Sequence, residues 1–227
     1  MTIQEAAALQ PEYYPDEAIA EQLRHVTLLL FVGPAGIGKS TILDLVGQHD
    51  DRFGRTGSIG TRPSDKRDSP GLYRQLAEQA MIEKIVARSL VQYAIHPSGH
   101  MYATTIDMYH HAYNMLECQA LAVEQFHRLP FGKLRVYYLV TEAAAWRAWF
   151  EARYPIRDKE RAKRAHEAIL SLEWGLNQPE GSLIWIENIP GTPGKAADQI
   201  IQSISLEEPF DNRRQLARQM LAIAREL

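Results

Sequence analysis

Residues 25–41 read HVTLLLFVGPAGIGKST, and this stretch decides the fold. Residues 25–32 are mostly apolar and β-prone, which predicts a buried strand. The next eight residues fit the pattern G-x-x-x-x-G-K-[ST] without a mismatch, and apolar side chains follow at helical spacing. A strand, a glycine loop and the start of a helix are the context that this pattern requires. The predicted phosphate-binding residues are Gly33, Pro34, Ala35, Gly36, Ile37, Gly38, Lys39, Ser40 and Thr41.

The chemistry expected of this loop is anion binding. Its glycines let backbone N–H groups converge on phosphate oxygens, and the helix N-terminus adds positive potential. Lys39 supplies a positive charge for the β- and γ-phosphates, and Ser40 offers a hydroxyl to Mg²⁺. We therefore expect ATP and Mg²⁺ as cofactors. The alternative interpretation is a glycine-rich turn that holds no ligand.

Composition and charge narrow the classes of function. The 227 residues are 45% apolar, enough for one large domain or one domain with small insertions. A net charge of −3 is far from the basic surface that nucleic-acid binding needs, and no apolar run reaches the length of a membrane span. Cys118 is the only cysteine, which favours a reducing cytoplasm. We expect a cytoplasmic monomer or homodimer with neither nucleic-acid nor membrane partners.

Strands and helices alternate along the chain, which predicts an α/β fold with a parallel sheet covered on both faces. Thr141 is expected to cap the helix that follows it. A short helix is expected near 16–24 in the N-terminal extension 1–24, and residues 206–227 are predicted to form a C-terminal helix that docks on the rest. The expected main strands are 25–32, 120–123, 134–140 and 182–187, and the expected helices are 39–47, 106–116, 142–153, 158–176 and 194–205.

Residues 56–105 have a different pattern from the rest of the chain, with shorter strand candidates, and this pattern predicts a small inserted subdomain. Short strands are expected at 57–61, 90–96 and 101–104, around a helix at 73–88. Pro97-Ser98-Gly99 is a turn signal between the last two strands, whereas 48–55 is polar and turn-like.

Two segments of this subdomain carry a resemblance to a known family. Ser58-Ile59-Gly60-Thr61-Arg62-Pro63 is followed by Asp68, Gly71 and Tyr73, and later by Gly99-His100-Met101-Tyr102-Ala103-Thr104. Together with the phosphate loop, these segments resemble guanylate kinase over roughly residues 26–204. The resemblance implies a P-loop NTPase fold with a three-layer parallel sheet, an acceptor-binding subdomain at 56–105 and a helical lid at 152–166, all within 25–205.

The resemblance also implies an acceptor site. Arg62, Tyr73 and Tyr102 would clamp the phosphate of an acceptor monophosphate, because arginine presents a planar fork of donors and tyrosine a neutral one. The hydroxyls of Ser58 and Thr104 would be available to a base. Two further candidates for this site are Gln92 and Glu124.

Several positions depart from the family pattern. The second arginine of the family is Asp65 here, with Lys66 or Arg67 as possible substitutes. The acidic residue that reads guanine is matched by Gln92, whose amide has one acceptor oxygen and one donor group, so other bases stay possible. Glu124 either matches a family aspartate near the base or is an ordinary exposed residue.

Phosphoryl transfer also needs cations that stabilise the charge on the migrating group. By resemblance, Arg153 and Arg164 supply these charges from the lid, with Arg157 and Arg161 on the same basic helix. The alternative is a solvated basic face. Asn188 falls where the family places an asparagine beside the adenine of ATP. The four tryptophans are interpreted as packing residues.

These observations predict a nucleoside monophosphate kinase that transfers the γ-phosphoryl group of ATP to GMP or dGMP. Another nucleotide or a phosphorylated sugar is an alternative acceptor. A non-catalytic guanylate kinase-like binding module and an NTPase switch are further alternatives, the last disfavoured because no clear aspartate follows an apolar strand.

Overall fold

A computed structural model describes residues 1–64, 71–96, 99–205 and 213–227. The described strands are β1 (Thr27–Val32), β2 (Phe53–Arg55), β3 (Ser58–Gly60), β4 (Tyr73–Gln75), β5 (Gln92–Ile95), β6 (Met101–Thr104), β7 (Tyr113–Glu117), β8 (Lys133–Val140) and β9 (Ile184–Glu187). The described α-helices are α1 (Ile3–Leu9), α2 (Glu17–Leu23), α3 (Lys39–His49), α4 (Glu78–Val86), α5 (Val123–His127), α6 (Ala143–Arg153), α7 (Arg161–Asn177), α8 (Pro193–Ser203) and α9 (Arg214–Ala224).

The main sheet is five-stranded and parallel, in the order β2-β7-β1-β8-β9. The strands β1 and β8 lie inside it and are almost continuously apolar, as expected of strands that are buried on both faces. The rings of Phe31 and Tyr137 stack at 4.9 Å between centroids, and Trp185 on β9 is fully buried. The predicted α/β class with a parallel sheet and covering helices is confirmed.

The chain divides into two units, which are described separately. One unit comprises Met1–Leu28, Gly54–Leu116 and Glu124–Leu134. The other comprises Leu29–Phe53, Glu117–Val123 and Arg135–Leu227.

The second unit contains the phosphate loop and two groups of packed helices. The helix α3 packs on α8, and α9 packs on both α6 and α7. The C-terminal helix buries Ala217, Met220 and Ala224, and the Met220 sulfur accepts the Thr141 backbone N–H at 3.4 Å. The C-terminal helix therefore docks as expected, although 206–212 of the predicted segment lies outside the described residues.

The first unit contains a four-stranded sheet in the order β4-β3-β6-β5. Its core joins this sheet to α4 through Ile59, Met81 and Tyr93. The N-terminal segment completes the core, because Ala6 of α1 is fully buried and its carbonyl accepts the Tyr93 hydroxyl at 2.6 Å. Asp16 caps α2 by accepting the Ile19 N–H at 2.8 Å, which agrees with the helix expected there.

Several local expectations were wrong. Residues 106–116, expected as a helix, form a 3-10 turn at Ile106–Met108 and then β7, whereas 120–123, expected as a strand, contains a 3-10 turn at Ala120–Ala122. The expected helix 73–88 begins with β4, and the turn-like stretch 48–55 ends in β2. Short apolar runs take their conformation from the strands beside them, so periodicity alone does not separate helix from strand.

The expected cap at Thr141 was also wrong. The Thr141 hydroxyl donates to the Asn188 carbonyl oxygen at 2.6 Å instead, and α6 has no side-chain cap at Glu142. Within the described ranges, no helix combines the length and apolar character that crossing a membrane requires.

Candidate functional site

The phosphate loop connects β1 to α3, and its glycines have conformations that other residues rarely adopt. Gly36 has φ of 80° and Gly38 has φ of 89°, both in the left-handed region. A Cβ atom on Gly33 would lie 2.9 Å from the Leu139 carbonyl oxygen on β8. The loop therefore needs glycine at these positions for backbone reasons, independently of any ligand.

Side chains from three places hold the carbonyl oxygens of the loop. The Lys39 Nζ donates to the Gly33 and Pro34 carbonyls at 2.8 and 3.2 Å. The Trp146 indole N–H donates to the Ala35 carbonyl at 2.9 Å. Buried Asn188, predicted beside adenine, uses its Nδ2 to donate to the Ile37 carbonyl at 2.9 Å. Four of the loop's five carbonyls between 33 and 37 are thus bound by donors, which reduces their repulsion of an approaching anion.

The loop lines a cavity of about 410 Å³, which lies wholly within the second unit. The predicted residues Lys39, Ser40, Arg153 and Arg164 all line it. Its other walls are formed by residues 117–121, Tyr154, Glu167, Leu170 and Ser171. The structure therefore brings the predicted phosphate loop and both predicted lid cations to one cavity.

Opposing charges surround the ammonium group of Lys39. Burial lowers the pKa of Lys39 from its usual value, whereas the carboxylate of Glu117 favours the protonated form. Arg153 and Arg164 add repulsion that lowers this pKa further. A cavity with three cationic groups and the N-terminus of α3 suits a polyanionic ligand.

Glu117 is a candidate that sequence reasoning missed. It ends β7, the strand beside β1, and it lines the cavity close to Lys39. The backbone N–H of the next residue, Cys118, donates to the Phe31 carbonyl at 3.1 Å, which fixes this strand end against β1. The signal was an acidic residue after the apolar pair Met115-Leu116, and it was lost because this segment was predicted to be helical.

The donor set beside the loop fits Mg²⁺. Within the described ranges, no group of three or more His, Cys, Asp or Glu side chains could hold a metal ion. Mg²⁺ in phosphate sites keeps several waters and takes one or two protein oxygens plus the phosphates themselves. The Ser40 hydroxyl and the Glu117 carboxylate are oxygens of this kind in the same cavity.

The lid arginines differ in their contacts. Arg164 pairs with Glu167 at 2.8 Å and with Glu160 at 3.7 Å. Arg153 ends α6, is exposed, and forms no ion pair with any described residue; its guanidinium lies 5.7 Å from the Tyr154 ring centroid. Arg161 donates to the Tyr154 carbonyl at 2.8 Å, and its side chain is only 15% exposed. These contacts indicate a structural role. Exposed Arg157 is not among the residues that line the cavity.

Cys118 also lines the cavity, but its thiol is poorly suited to nucleophilic chemistry. Burial raises the pKa of Cys118 to about 12, despite the opposing charge of Lys39. The thiolate is therefore scarce at neutral pH.

One face of the small sheet in the first unit carries five of the predicted acceptor residues. Ser58 pairs with Tyr73, Gln92 pairs with Thr104, and the β3–β6 register sets Ser58 opposite Thr104. Because side chains alternate along a strand, Tyr102 belongs to the same face as Thr104. These five side chains carry hydroxyl and amide groups and no carboxylate.

Arg62 and the two tyrosines are neighbours on this face. The Arg62 guanidinium lies 4.6 Å from the Tyr73 ring centroid, and the Tyr73 hydroxyl donates to the Arg62 carbonyl at 2.6 Å. The rings of Tyr73 and Tyr102 are 6.4 Å apart. A Cβ atom on Gly60 would lie 2.7 Å from the Tyr73 hydroxyl oxygen, so this glycine makes room for the tyrosine.

The remaining acceptor candidates behave differently. Buried Thr104 shares a 2.8 Å hydrogen bond with the Tyr109 hydroxyl, which engages its side chain already. The Gln92 Oε1 atom is buried and has no hydrogen-bond partner among the described residues. Glu124 is exposed on α5 and does not belong to this sheet. The predicted departures at Asp65, Lys66 and Arg67, and the turn residues Pro97 and Ser98, lie outside the described residues.

Comparisons with known proteins support the fold. A scan against protein-family models and a search of curated proteins both gave no match. A guanylate kinase from Anaplasma phagocytophilum aligns over 81% of this chain and 86% of its own, with a TM-score of 0.51 and 15% identity. HypB from Helicobacter pylori, solved in complex with nickel, aligns over 86% of this chain and 97% of its own, with a TM-score of 0.37 and 11% identity. The first likeness shows that this chain has a P-loop NTPase fold.

Proposed function

We propose that this protein is an ATP-dependent phosphotransferase and a divergent relative of the guanylate kinases. The observation that carries the proposal is the single cavity in which the phosphate loop, Lys39, Glu117, Arg153 and Arg164 lie together. A binding module has no need for lid cations beside a complete phosphate loop. An enzyme that transfers a phosphoryl group needs them, because its catalysis is mainly positioning and electrostatic stabilisation.

Each group in the cavity has a distinct task in this proposal. Backbone N–H groups of the loop and Lys39 bind the β- and γ-phosphates of ATP. Ser40 and Glu117 hold the hydrated Mg²⁺, which supplies charge neutralisation when bound. Arg153 and Arg164 stabilise the charge that spreads over the migrating group. No general base is required, since the acceptor is itself an anionic phosphate oxygen.

The acceptor is proposed to be a nucleoside monophosphate, with GMP and dGMP as the first candidates. Arg62, Tyr73 and Tyr102 bind its phosphate: arginine is the charged fork, Tyr102 is a neutral donor, and Tyr73 donates once its hydroxyl turns away from the Arg62 carbonyl. The neutral row of Ser58, Thr104 and Gln92 favours a second candidate, a kinase for another base. A glutamine amide offers a donor as well as an acceptor, whereas guanine presents two adjacent donors.

A panel of acceptors tests the proposal. ADP release from ATP·Mg²⁺ would be measured with GMP, dGMP, AMP, CMP, UMP, dTMP and a pentose 5-phosphate. We expect turnover with at least one monophosphate, and GMP or dGMP activity would support the first candidate. Activity confined to another monophosphate would assign the protein to the second candidate.

A binding measurement separates the enzyme from a non-catalytic module. Calorimetric titration with ATP·Mg²⁺ is expected to show one site on the wild-type protein. Absence of both nucleotide binding and transfer would overturn the proposal. Binding without transfer to any acceptor in the panel would favour an NTPase or a binding module instead.

A further inference from the structure

We propose that Trp146 is a positioning residue for the phosphate loop, setting its affinity for phosphates through the hydrogen bond to Ala35. The inference rests on the proposed function only in taking the loop as a phosphate site. Trp146 lies on α6, is fully buried, and donates its indole N–H to the Ala35 carbonyl oxygen at 2.9 Å.

The direction of the Ala35 carbonyl decides what the loop presents to an anion. A carbonyl oxygen carries partial negative charge and repels phosphate, whereas the N–H groups of the same peptide units attract it. Ala35 precedes Gly36, which has no Cβ atom and adopts a φ of 80°, so the chain alone restrains the peptide unit between them only weakly. The indole N–H therefore holds a carbonyl whose direction the neighbouring glycine restrains only weakly.

The backbone of α6 also supports the loop next to this hydrogen bond. A Cβ atom on Gly36 would lie 3.7 Å from the Phe150 Cα, so the helix packs directly beside the loop. The rings of Trp146 and Phe150 are 5.5 Å apart, and those of Phe150 and Tyr154 are 5.1 Å apart. These tilted ring contacts keep the indole in one orientation, which a hydrogen bond of fixed direction requires.

The chain provides a matched control for the indole N–H. Trp185 is also fully buried, but its Nε1 atom has no hydrogen-bond partner among the described residues. Replacement of either tryptophan by phenylalanine removes a buried indole and leaves an aromatic ring. Both replacements lose the bulk of an indole, but only Trp146→Phe also removes a hydrogen bond to the loop.

The test uses inorganic triphosphate with Mg²⁺ as the probe, so that its result does not depend on the acceptor or the base. Calorimetry on the full chain is expected to show about tenfold weaker binding in Trp146→Phe, the loss expected for one hydrogen bond that leaves its partner unsatisfied. Trp185→Phe is expected to stay within about twofold of the wild type. Unfolding midpoints of both variants show whether a loss of triphosphate affinity merely follows a loss of stability.

The outcomes separate this inference from the proposed function. Weaker triphosphate binding confined to Trp146→Phe supports the inference even if no acceptor is phosphorylated. Equal affinity in both variants, or a wild type that binds no triphosphate, overturns it. If Trp146→Phe does not fold, the ¹⁵N-indole resonances of the wild type decide. The Trp146 N–H should shift and exchange more slowly on addition of triphosphate, whereas an unchanged Trp146 resonance rejects the inference.

Discussion

The phosphate loop and the face of the small sheet that we propose as the acceptor site are built from different parts of the chain. The loop lies within nine consecutive residues, 33–41, and is expected to bind through main-chain N–H groups; its glycines are required by φ angles and close approaches. The face of the small sheet uses side chains from four strands that pair in the order β4-β3-β6-β5. The first kind of site is local in sequence, whereas the second exists only once strand registers are set.

This difference predicts where each site is vulnerable. Changes of backbone conformation should damage the loop, and truncation of side chains should damage the small-sheet face. Lys39 is an exception to this division between main-chain and side-chain sites, because it belongs to the loop but acts through its side chain.

The largest effect is expected for Lys39→Ala. The variant lacks the ammonium charge that stabilises the transferred phosphoryl group in a partly desolvated cavity. We therefore expect turnover to fall at least about a hundredfold while the fold survives. Steady-state rates and circular dichroism measure the two quantities. The control is Lys133→Ala, at an exposed lysine that begins β8. Retention of more than about a tenth of the wild-type rate would remove Lys39 from the catalytic role.

Gly38→Ala tests the backbone-built site. Gly38 has φ of 89°, and an added Cβ would lie 2.7 Å from the Asn188 Nδ2 that binds the Ile37 carbonyl. Strain of about 1–2 kcal/mol and one lost hydrogen bond should weaken ATP·Mg²⁺ binding about thirtyfold. Gly191→Ala is the control, because Gly191 has φ of 75° but has no atom within 4 Å of an added Cβ. If Gly38→Ala binds ATP·Mg²⁺ as tightly as Gly191→Ala does, the backbone conformation at Gly38 does not set nucleotide affinity.

Arg62→Ala tests the side-chain-built site. Loss of a charged donor to the acceptor phosphate should raise the KM for the acceptor about twentyfold and leave the affinity for ATP unchanged. The neighbouring control is Arg74→Ala, at an exposed residue on β4 that points to the other face from Tyr73. If only ATP affinity changes, Arg62 does not bind the acceptor.

Gly60→Ala sharpens the same test with a smaller effect. The added Cβ would meet the Tyr73 hydroxyl at 2.7 Å, so the tyrosine must shift. We expect the acceptor KM to rise about fivefold with little change in kcat, since a shifted hydroxyl weakens one neutral hydrogen bond. Gly47→Ala in α3 serves as the control, because its added Cβ makes an ordinary 3.5 Å contact and alanine favours a helix by about 1 kcal/mol. An unaltered KM in Gly60→Ala would separate Tyr73 from acceptor binding.

The difference between the two sites also explains which predictions from sequence succeeded. The strand β1, the loop and α3 were predicted to within two residues because their signal is contiguous and strongly periodic. The helix α6 was predicted well, but its cap was not. Thr141 has the right type for a cap, yet its hydroxyl is used by the Asn188 carbonyl, which is 47 residues away.

Glu117 shows why the rest of the site was missed. The run Tyr113–Glu117 is five residues long, and a run of that length is compatible with a helix or a strand. Its place beside β1 decides that it is a strand and puts its terminal carboxylate in the cavity. A carboxylate at the end of an interior strand could have been found only after that assignment.

The amino-acid sequence alone determined the α/β class, the phosphate loop and the residues that the loop needs, because glycine conformation and helix start are set by adjacent residues. Tertiary structure decided which side chains hold that loop. Trp146 and Asn188 bind carbonyls that are 111 and 151 residues away in the chain. Partners at such distances meet only when packing of the whole unit offsets the entropy of closing the chain between them, and no local pattern records that balance.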